Sequence, residues 1–408
     1  MKCRHCNNEL INELINLGCS PPSNAYLENI SFKDVEKKYL LRIMICKSCF
    51  LVQTEDFVKE DEMFSENYAY FSSYSKSWLD HSSNYVESII KMLSLNKNST
   101  VVEIAANDGY LLQFMMDRCI PCYGIEPTHS TAEVARRKGI DIVESFFSAE
   151  LARGLAVKKG KADLIIANNV LAHVPNINNF VEGVSTLLKE DGVVTFEFPY
   201  ILNLIKHVLF DTMYHEHYSY LSLTVVNRIF NENGLKVFKV ENLSTHGGSL
   251  RVYAQQSDSD LYFQDRSVDE ILHNEKLLGV CSLEFYAGFH NKAEKIKNNF
   301  IEFLLQANNN NMRVAAYGAA AKGNTLMNYS EVSGDLIEYV ADKNTSKQGM
   351  FMPGSHIPIV SETYMLNNRP DYLIIFPWNL LSEIMIQLSY LSEQGTKFVT
   401  VIPEVKII

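Results

Sequence analysis

The chain has 408 residues, 47% of them hydrophobic and 21% charged, an ordinary globular composition with room for two or three domains, each with its own core. Its formal net charge of -11 disfavours a nucleic-acid binder, which needs a basic stripe against phosphates, and still permits a small phosphorylated ligand held by a few local donors. No apolar run approaches the roughly 18 residues of a membrane span, and the polar start MKCRHC does not read as a signal peptide, so a cytoplasmic protein without a membrane partner is expected. In that compartment the eight cysteines are expected as thiols or metal ligands and not as disulfides.

Residues 1–66 read as a metal-binding lobe. Cys3-x2-Cys6 and Cys46-x2-Cys49 are two knuckles, and the two-residue spacing turns both thiolates of a pair toward one ion. Four thiolates close a tetrahedral zinc shell with no open position, which makes the ion structural. Such an ion staples a lobe whose own core would be marginal. The separation of the pairs exceeds that of a usual zinc ribbon, and His5, inside the first knuckle, leaves a three-cysteine, one-histidine set as the lesser alternative. A third pair, Cys119-x2-Cys122, flanks the end of a helix and reads as two packed core cysteines, because a redox pair belongs at a helix N-terminus.

Residues 67–256 carry alternating strands and helices. Trp78, Tyr85, Ile89 and Leu93 recur at helical spacing over 75–95. Strands follow at 100–105, 122–126, 162–167 and 193–199, and the βα alternation predicts a parallel sheet covered on both faces. VFKVENLSTHGGSLRVYAQQ then predicts paired strands at a sheet edge. The loop after the first strand, Ala105 to Gly109, is small enough for a ligand to approach the backbone at a helix N-terminus. It lacks the GxGxxG of dinucleotide binders, which weakens a nicotinamide oxidoreductase. Glu126 ends the next strand, where a carboxylate accepts both hydroxyls of a ribose, and this points to an adenosyl ligand without a pyrophosphate. Phe146 and Phe147 flank an adenine or simply pack in the core. The segment is similar to class I S-adenosylmethionine-dependent methyltransferases: Glu103, Asn107, Asp108 and Gly109 match the first motif in altered form and Glu126 the acidic second motif. The cofactor set expected from this is Glu103, Ala105, Asn107, Asp108, Gly109, Glu126, Pro127, Phe146, Phe147 and Asn168.

The stretch FDTMYHEHYSYLSLTVV crowds together Tyr214, His215, Glu216, His217, Tyr218 and Tyr220. So many titratable groups are poor core material and suit proton transfer near neutral pH. His215 among them reads as solvated. THGGS, 245–249, is an edge turn or part of a sugar pocket.

Residues 257–408 give a helical, charged stretch over 268–307, a polar turn, and a second βα series with strands in RVAAY, LIEYVAD, DYLIIF and KFVTVI. GAAAKGN joins a strand to a helix, so Gly318, Lys322 and Asn324 suggest a phosphate cradle, with tight strand–helix packing as the alternative. Asp342 stands where a Rossmann-like ribose acceptor would be. Trp378, in FPWN, stacks on a base or caps the sheet.

Taken together, the cysteine lobe with GCSPPSNAYL, the middle domain with EIAANDGYL, GIEPT, ANNVLAHVPN and YHEHYSYLS, and the last domain with YGAAAKGNTLMNY, DKNTSKQGMFMPGSHIPI and FPWN resemble one family over nearly the whole chain. This is the sugar C-methyltransferase family of deoxysugar biosynthesis, such as the 3-C-methyltransferases of the tetronitrose pathway. The resemblance implies a zinc lobe, a methyltransferase domain and a Rossmann-like domain that closes over the site. It implies His217 as base, Tyr214 and Glu216 as its partners, and Tyr68, Asn169 and His173 at the reacting centre. The substrate implied is a keto sugar on a nucleoside diphosphate, dTDP favoured, methylated at C-3 of a 4-keto hexose, with a monomeric enzyme. Competing readings are O- or N-methylation on the same architecture, and a ligand-sensing protein without catalysis.

Overall fold

A computed structural model describes residues 1–28, 36–55 and 71–408. The first lobe is an antiparallel meander of β1 (Asn12–Ser20), β2 (Tyr39–Ile45) and β3 (Val52–Thr54). Its fourth strand comes from far along the chain: β9 (Ser219–Tyr220) pairs with β3, Val52 opposite Tyr220 and Gln53 opposite Ser219. The lobe therefore grips the segment just after the Tyr-His-Glu-His stretch through main-chain hydrogen bonds.

The middle domain is a seven-stranded sheet. In spatial order it runs β10 (Leu235–Leu243), β11 (Ser249–Gln256), β8 (Leu188–Pro199), β7 (Ala162–Asn168), β4 (Val101–Ile104), β5 (Cys122–Ile125) and β6 (Asp141–Val143). β4 to β8 are parallel, and β11 runs antiparallel to both of its neighbours. As the sequence predicts, β10 and β11 are paired strands at a sheet edge; β11 joins β8, and β10 is the outermost strand on that side. β11 is buried along nearly its whole length, and burial on both faces favours the interior position. This is the class I methyltransferase arrangement expected from the motifs.

The helix Lys76–Leu93 forms where the 3.6-residue apolar period predicts it. Ser75 caps its first turn by accepting from the Trp78 N–H, and Ser94 ends it in a left-handed conformation. Tyr85, Val86 and Ile89 bury its inner face. The helical stretch after β11 divides in two, Arg266–Leu278 and Phe289–Asn309, because Gly279 and Gly288 adopt positive φ between them. The first of these helices packs back on β10. Its fully buried Glu275 accepts from the N–H groups of Leu223 and Thr224, both at 2.7 Å, at the start of the helix Leu223–Glu232, where a negative charge complements the helix dipole.

The last domain is a six-stranded sheet ordered β14 (Ile359–Val360), β13 (Val340–Ala341), β12 (Val314–Tyr317), β15 (Tyr372–Ile375), β16 (Lys397–Thr400) and β17 (Lys406–Ile407). It is parallel except for β17, the Rossmann-like form read from sequence. The segment after β1 crosses to this domain, where Leu27 and Phe351 exchange main-chain hydrogen bonds of 3.1 and 2.8 Å. Among the described residues no helix is long and apolar enough to cross a membrane. The third cysteine pair is only half a core pair: Cys122 is half-buried against the core, whereas Cys119 is exposed.

Candidate active site and zinc centre

The four knuckle cysteines converge. Their Sγ atoms all lie within 4.8 Å of one another, with Cys3 to Cys49 and Cys6 to Cys46 each at 3.5 Å. A tetrahedral zinc–thiolate shell with bonds of about 2.3 Å puts its sulfurs about 3.8 Å apart, so the set fits the ion. Left-handed φ at Asn7 and Phe50 bends each knuckle. His5 is not part of the cluster: its Nδ1 faces Asn178 Oδ1 at 2.8 Å. The long interval between the knuckles is accounted for by the β1–β2 hairpin and the segment that crosses to the last domain.

A cavity of about 430 Å³ lies where the three parts meet. Its first half is formed at the carboxyl ends of β4, β5 and β7, where open α/β sheets place ligands. Ala105, Asn107, Glu126, Pro127, Phe146, Phe147 and Asn168 all line it. Ala105 and Asn107 hold positive φ, so the loop turns sharply under any occupant. Glu126 accepts from the N–H of Asn107 at 2.9 Å and of Thr128 at 3.0 Å, one on each oxygen. The side chains of Thr128 and Thr131 also hydrogen-bond this carboxylate. Phe147 is braced edge-on by Phe180. Carboxylate, aromatic pair and bare loop backbone fit an adenosyl group.

Three residues expected at this ligand do not reach the cavity. Glu103 is fully buried beneath the loop, and burial pushes its carboxyl well above the usual range, against the opposing hydrogen bond from Tyr110. Gly109 is required by its φ of +75° and by Ile140, which a Cβ there would meet at 2.2 Å. Asp108 accepts from the Ser73 N–H as Asn107 accepts from the Ser72 N–H, at 3.2 and 2.9 Å. Asp108 thus fixes the chain entering the helix Lys76–Leu93, and Ser72 itself lines the cavity.

The second half of the cavity holds Tyr214, His217, His173 and Asn169. His217 Nδ1–H donates to the Thr212 carbonyl at 2.7 Å. A carbonyl can only accept, so in the neutral ring Nε2 carries the lone pair, and the Tyr214 hydroxyl donates to it at 2.8 Å. Burial, then the neighbouring His173, pushes the His217 pKa well below that of a free histidine, so the ring is neutral at pH 7. His173 meets His217 edge-on at 4.6 Å between ring centres and donates from Nδ1 to the Glu216 carbonyl at 2.8 Å; burial lowers its pKa to about 4. His215, read as solvated, is buried: its Nε2–H donates to the Tyr39 carbonyl and its pKa is lowered to about 4. Glu216 is also buried and does not line the cavity; its Oε1 accepts from Asn24. Tyr68 lies outside the described residues.

The last domain supplies the remaining wall with Gly318 to Lys322. Gly318 has φ +86° and no room for a Cβ against Pro377. Lys322 is half-buried, not solvated. Its Nζ donates to Asn379 Oδ1 at 2.8 Å and lies 4.1 Å above the centre of the Trp378 ring, and burial lowers its pKa to about 8. Trp378 neither lines the cavity nor simply caps the sheet; its indole N–H donates to the buried Asp211 at 2.7 Å. Asn324 lies behind the wall, donating to the Ser23 carbonyl at 2.6 Å. Asp342 lines the cavity but is occupied by the N–H groups of Ala319 and Asn344, at 2.6 and 2.7 Å.

The sequence reading overlooks four groups. His246, within THGGS, lines the cavity beside Asn169, 3.3 Å from its Nδ2; the glycines drew attention away from the imidazole. Asn24, Lys347 and Ser72 also line it; Asn24 and Lys347 lie inside GCSPPSNAYL and DKNTSKQGMFMPGSHIPI, motifs that carry the resemblance without assigning either residue a role.

The whole chain resembles C-methyltransferase NovU of Streptomyces niveus, with 30% identity over 407 residues, 100% of this chain and 96% of that one. The chain belongs to the C-methyltransferase family. Family models match each part of it in turn: a zinc-binding domain at residues 3–64, a methyltransferase domain at 78–240 and a C-methyltransferase C-terminal domain at 244–403. Among solved structures, the PH0226 protein of Pyrococcus horikoshii covers 50% of this chain and 100% of its own at 13% identity and a TM-score of 0.39. The magnesium protoporphyrin IX methyltransferase of Synechocystis with bound S-adenosylmethionine covers 50% and 100% at 14% and 0.38. This member of the family is an S-adenosylmethionine-dependent, zinc-binding C-methyltransferase.

Proposed function

We propose that the acceptor is a keto sugar carried on a nucleoside diphosphate, dTDP favoured, methylated at a carbon next to the ketone, C-3 of a 4-keto hexose being the leading position. The observation that carries this reading is the tautomer of His217: with Nδ1–H tied to Thr212, an unprotonated Nε2 stands in the cavity. The carbon beside a ketone needs a base strong enough to form an enolate, whereas a hydroxyl or amine needs less.

The chemistry follows from these groups. When bound, S-adenosylmethionine supplies an electrophilic methyl group to a carbon nucleophile. His217 Nε2 takes the proton from the carbon beside the ketone, and the C–H electron pair moves into the enolate. One phenol cannot hold Nε2 and an oxyanion together, so the substrate oxygen takes over the Tyr214 hydrogen bond and releases Nε2 for the carbon acid. Asn169 and His173 border the same space. Glu126, Asn107 and the pair Phe146 and Phe147 hold the adenosyl end. Lys322 and the N–H groups at the start of the helix Ala321–Tyr329 face the diphosphate. In this division of labour, 1–66 braces the site, 67–256 carries the chemistry and 257–408 holds the nucleotide.

The test is mass spectrometry of reactions with nucleotide-linked 4-keto sugars, where a gain of one methyl is expected. With the cofactor omitted, the enzyme exchanges the substrate's acidic hydrogen for deuterium. Methyl transfer to a substrate oxygen or nitrogen without exchange contradicts the reading.

A further inference from the structure

The Glu216 carboxylate sits one residue from the base yet faces away from the cavity. What it holds is Asn24, the only described residue of the first lobe that lines the cavity. The backbone N–H and the side-chain Nδ2 of Asn24 both approach Glu216 Oε1, at 3.2 and 3.1 Å. An oxygen that receives a backbone N–H is an acceptor, so the amide must turn its NH2 toward it, and the amide carbonyl Oδ1 points the other way. Among the described residues nothing bonds that Oδ1. The chain on both sides is fastened to the last domain. The Ser23 carbonyl accepts from Asn324, the Tyr26 hydroxyl donates to the Ala319 carbonyl at 2.7 Å, and Leu27 pairs with Phe351. Lys347 Nζ donates to the same Ala319 carbonyl at 2.8 Å. A strap pinned at three points and clamped by a buried carboxylate thus presents a fixed acceptor to the cavity.

We propose that Asn24 reads the acceptor: its side-chain carbonyl takes a hydrogen bond from a hydroxyl or amino group on the sugar ring near the reacting carbon. Glu216 is a positioning residue that orients Asn24. The inference rests on the keto-sugar reading above. A preorganised acceptor discriminates because a sugar lacking the donor leaves it unpaired.

The zinc-loaded enzyme is compared with Asn24→Ala on dTDP-linked 4-keto-6-deoxyhexoses that carry or lack the 2- or 3-substituent. For one of these groups, deleting it lowers wild-type kcat/KM about tenfold, the effect of one neutral hydrogen bond. Asn24→Ala lowers kcat/KM by a similar factor on the sugar that carries the group and adds no loss on the sugar without it. An equal loss for Asn24→Ala on every sugar overturns the proposal, as does no loss on any. Cofactor affinity of the variant, held within about twofold of wild type, excludes misfolding as the cause. Glu216→Gln keeps an oxygen for both N–H groups and retains the discrimination that Glu216→Ala loses. If Glu216→Gln instead removes the acid limb of the kcat/KM profile and leaves discrimination intact, Glu216 is an ionising catalyst and the positioning role fails. Wild-type enzyme inactive on every keto sugar rejects the keto-sugar reading itself, an outcome distinct from equal loss.

Discussion

The two halves of the cavity are built differently. The adenosyl half comes from one domain, at the ends of adjacent parallel strands, and its loops bond to one another over short stretches of chain, as Glu126 does to Asn107 and Thr128. The acceptor half is assembled from distant segments: the strap at Asn24, the loop with Asn169 and His173, Tyr214 and His217, His246, and the wall Gly318 to Lys322. A sheet edge provides a generic place for a common cofactor, whereas a particular acceptor needs groups collected from wherever the fold brings them together. The two halves should therefore fail separately.

The largest expected effect is His217→Asn, which removes the base and lowers kcat by roughly 10² to 10⁴ while cofactor affinity, measured by calorimetry, stays within about twofold. A parallel loss of both would break the comparison. The mirror-image change, Glu126→Ala, weakens cofactor binding by about 10- to 100-fold, since hydrogen bonds to a charged group contribute about 1.5–3 kcal/mol each, with little change in the saturating rate. Lys322→Met raises the KM for the nucleotide sugar about tenfold, consistent with a charged contact. Because the Lys322 ammonium titrates near 8, wild-type KM also rises above that pH, and Lys322→Arg, which stays protonated, flattens the rise.

The smallest effect is on stability and again favours the acceptor half. His173 and His215 fall from 6.5 to about 4 on folding because the charged form is desolvated. The folded chain binds fewer protons than the unfolded one between these values. Stability is complete above pH 6.5 and declines as pH falls toward 4. A melting temperature that drops by several degrees over this window, and drops less in His173→Gln, checks the sign.

The same contrast explains what could be read in advance. The zinc knuckles, the strand ends and Glu126 are local patterns, and each lies where its spacing implied. Glu103 and Gly109 also match a motif, yet the first is buried under the loop and the second is held by the steric limit at Ile140, because a motif records the backbone path as much as ligand contact. His215 reads as solvated because neighbours along the chain say nothing of burial, whereas in the fold Tyr39 covers it from β2. The pairing of β10 with β11 at a sheet edge is legible in the hairpin pattern, whereas which of the two strands joins β8 is not. Asn24 and His246 reach the cavity only through tertiary structure.

The β3–β9 pairing also bears on how the molecule is made. On the ribosome, β1 to β3 must wait for residue 220 before their sheet is whole, and Leu27 waits for Phe351. Such long sequence separations slow folding and leave strand edges open meanwhile. A thiolate-bound ion acting early would keep the nascent hairpin in shape until its late partners emerge.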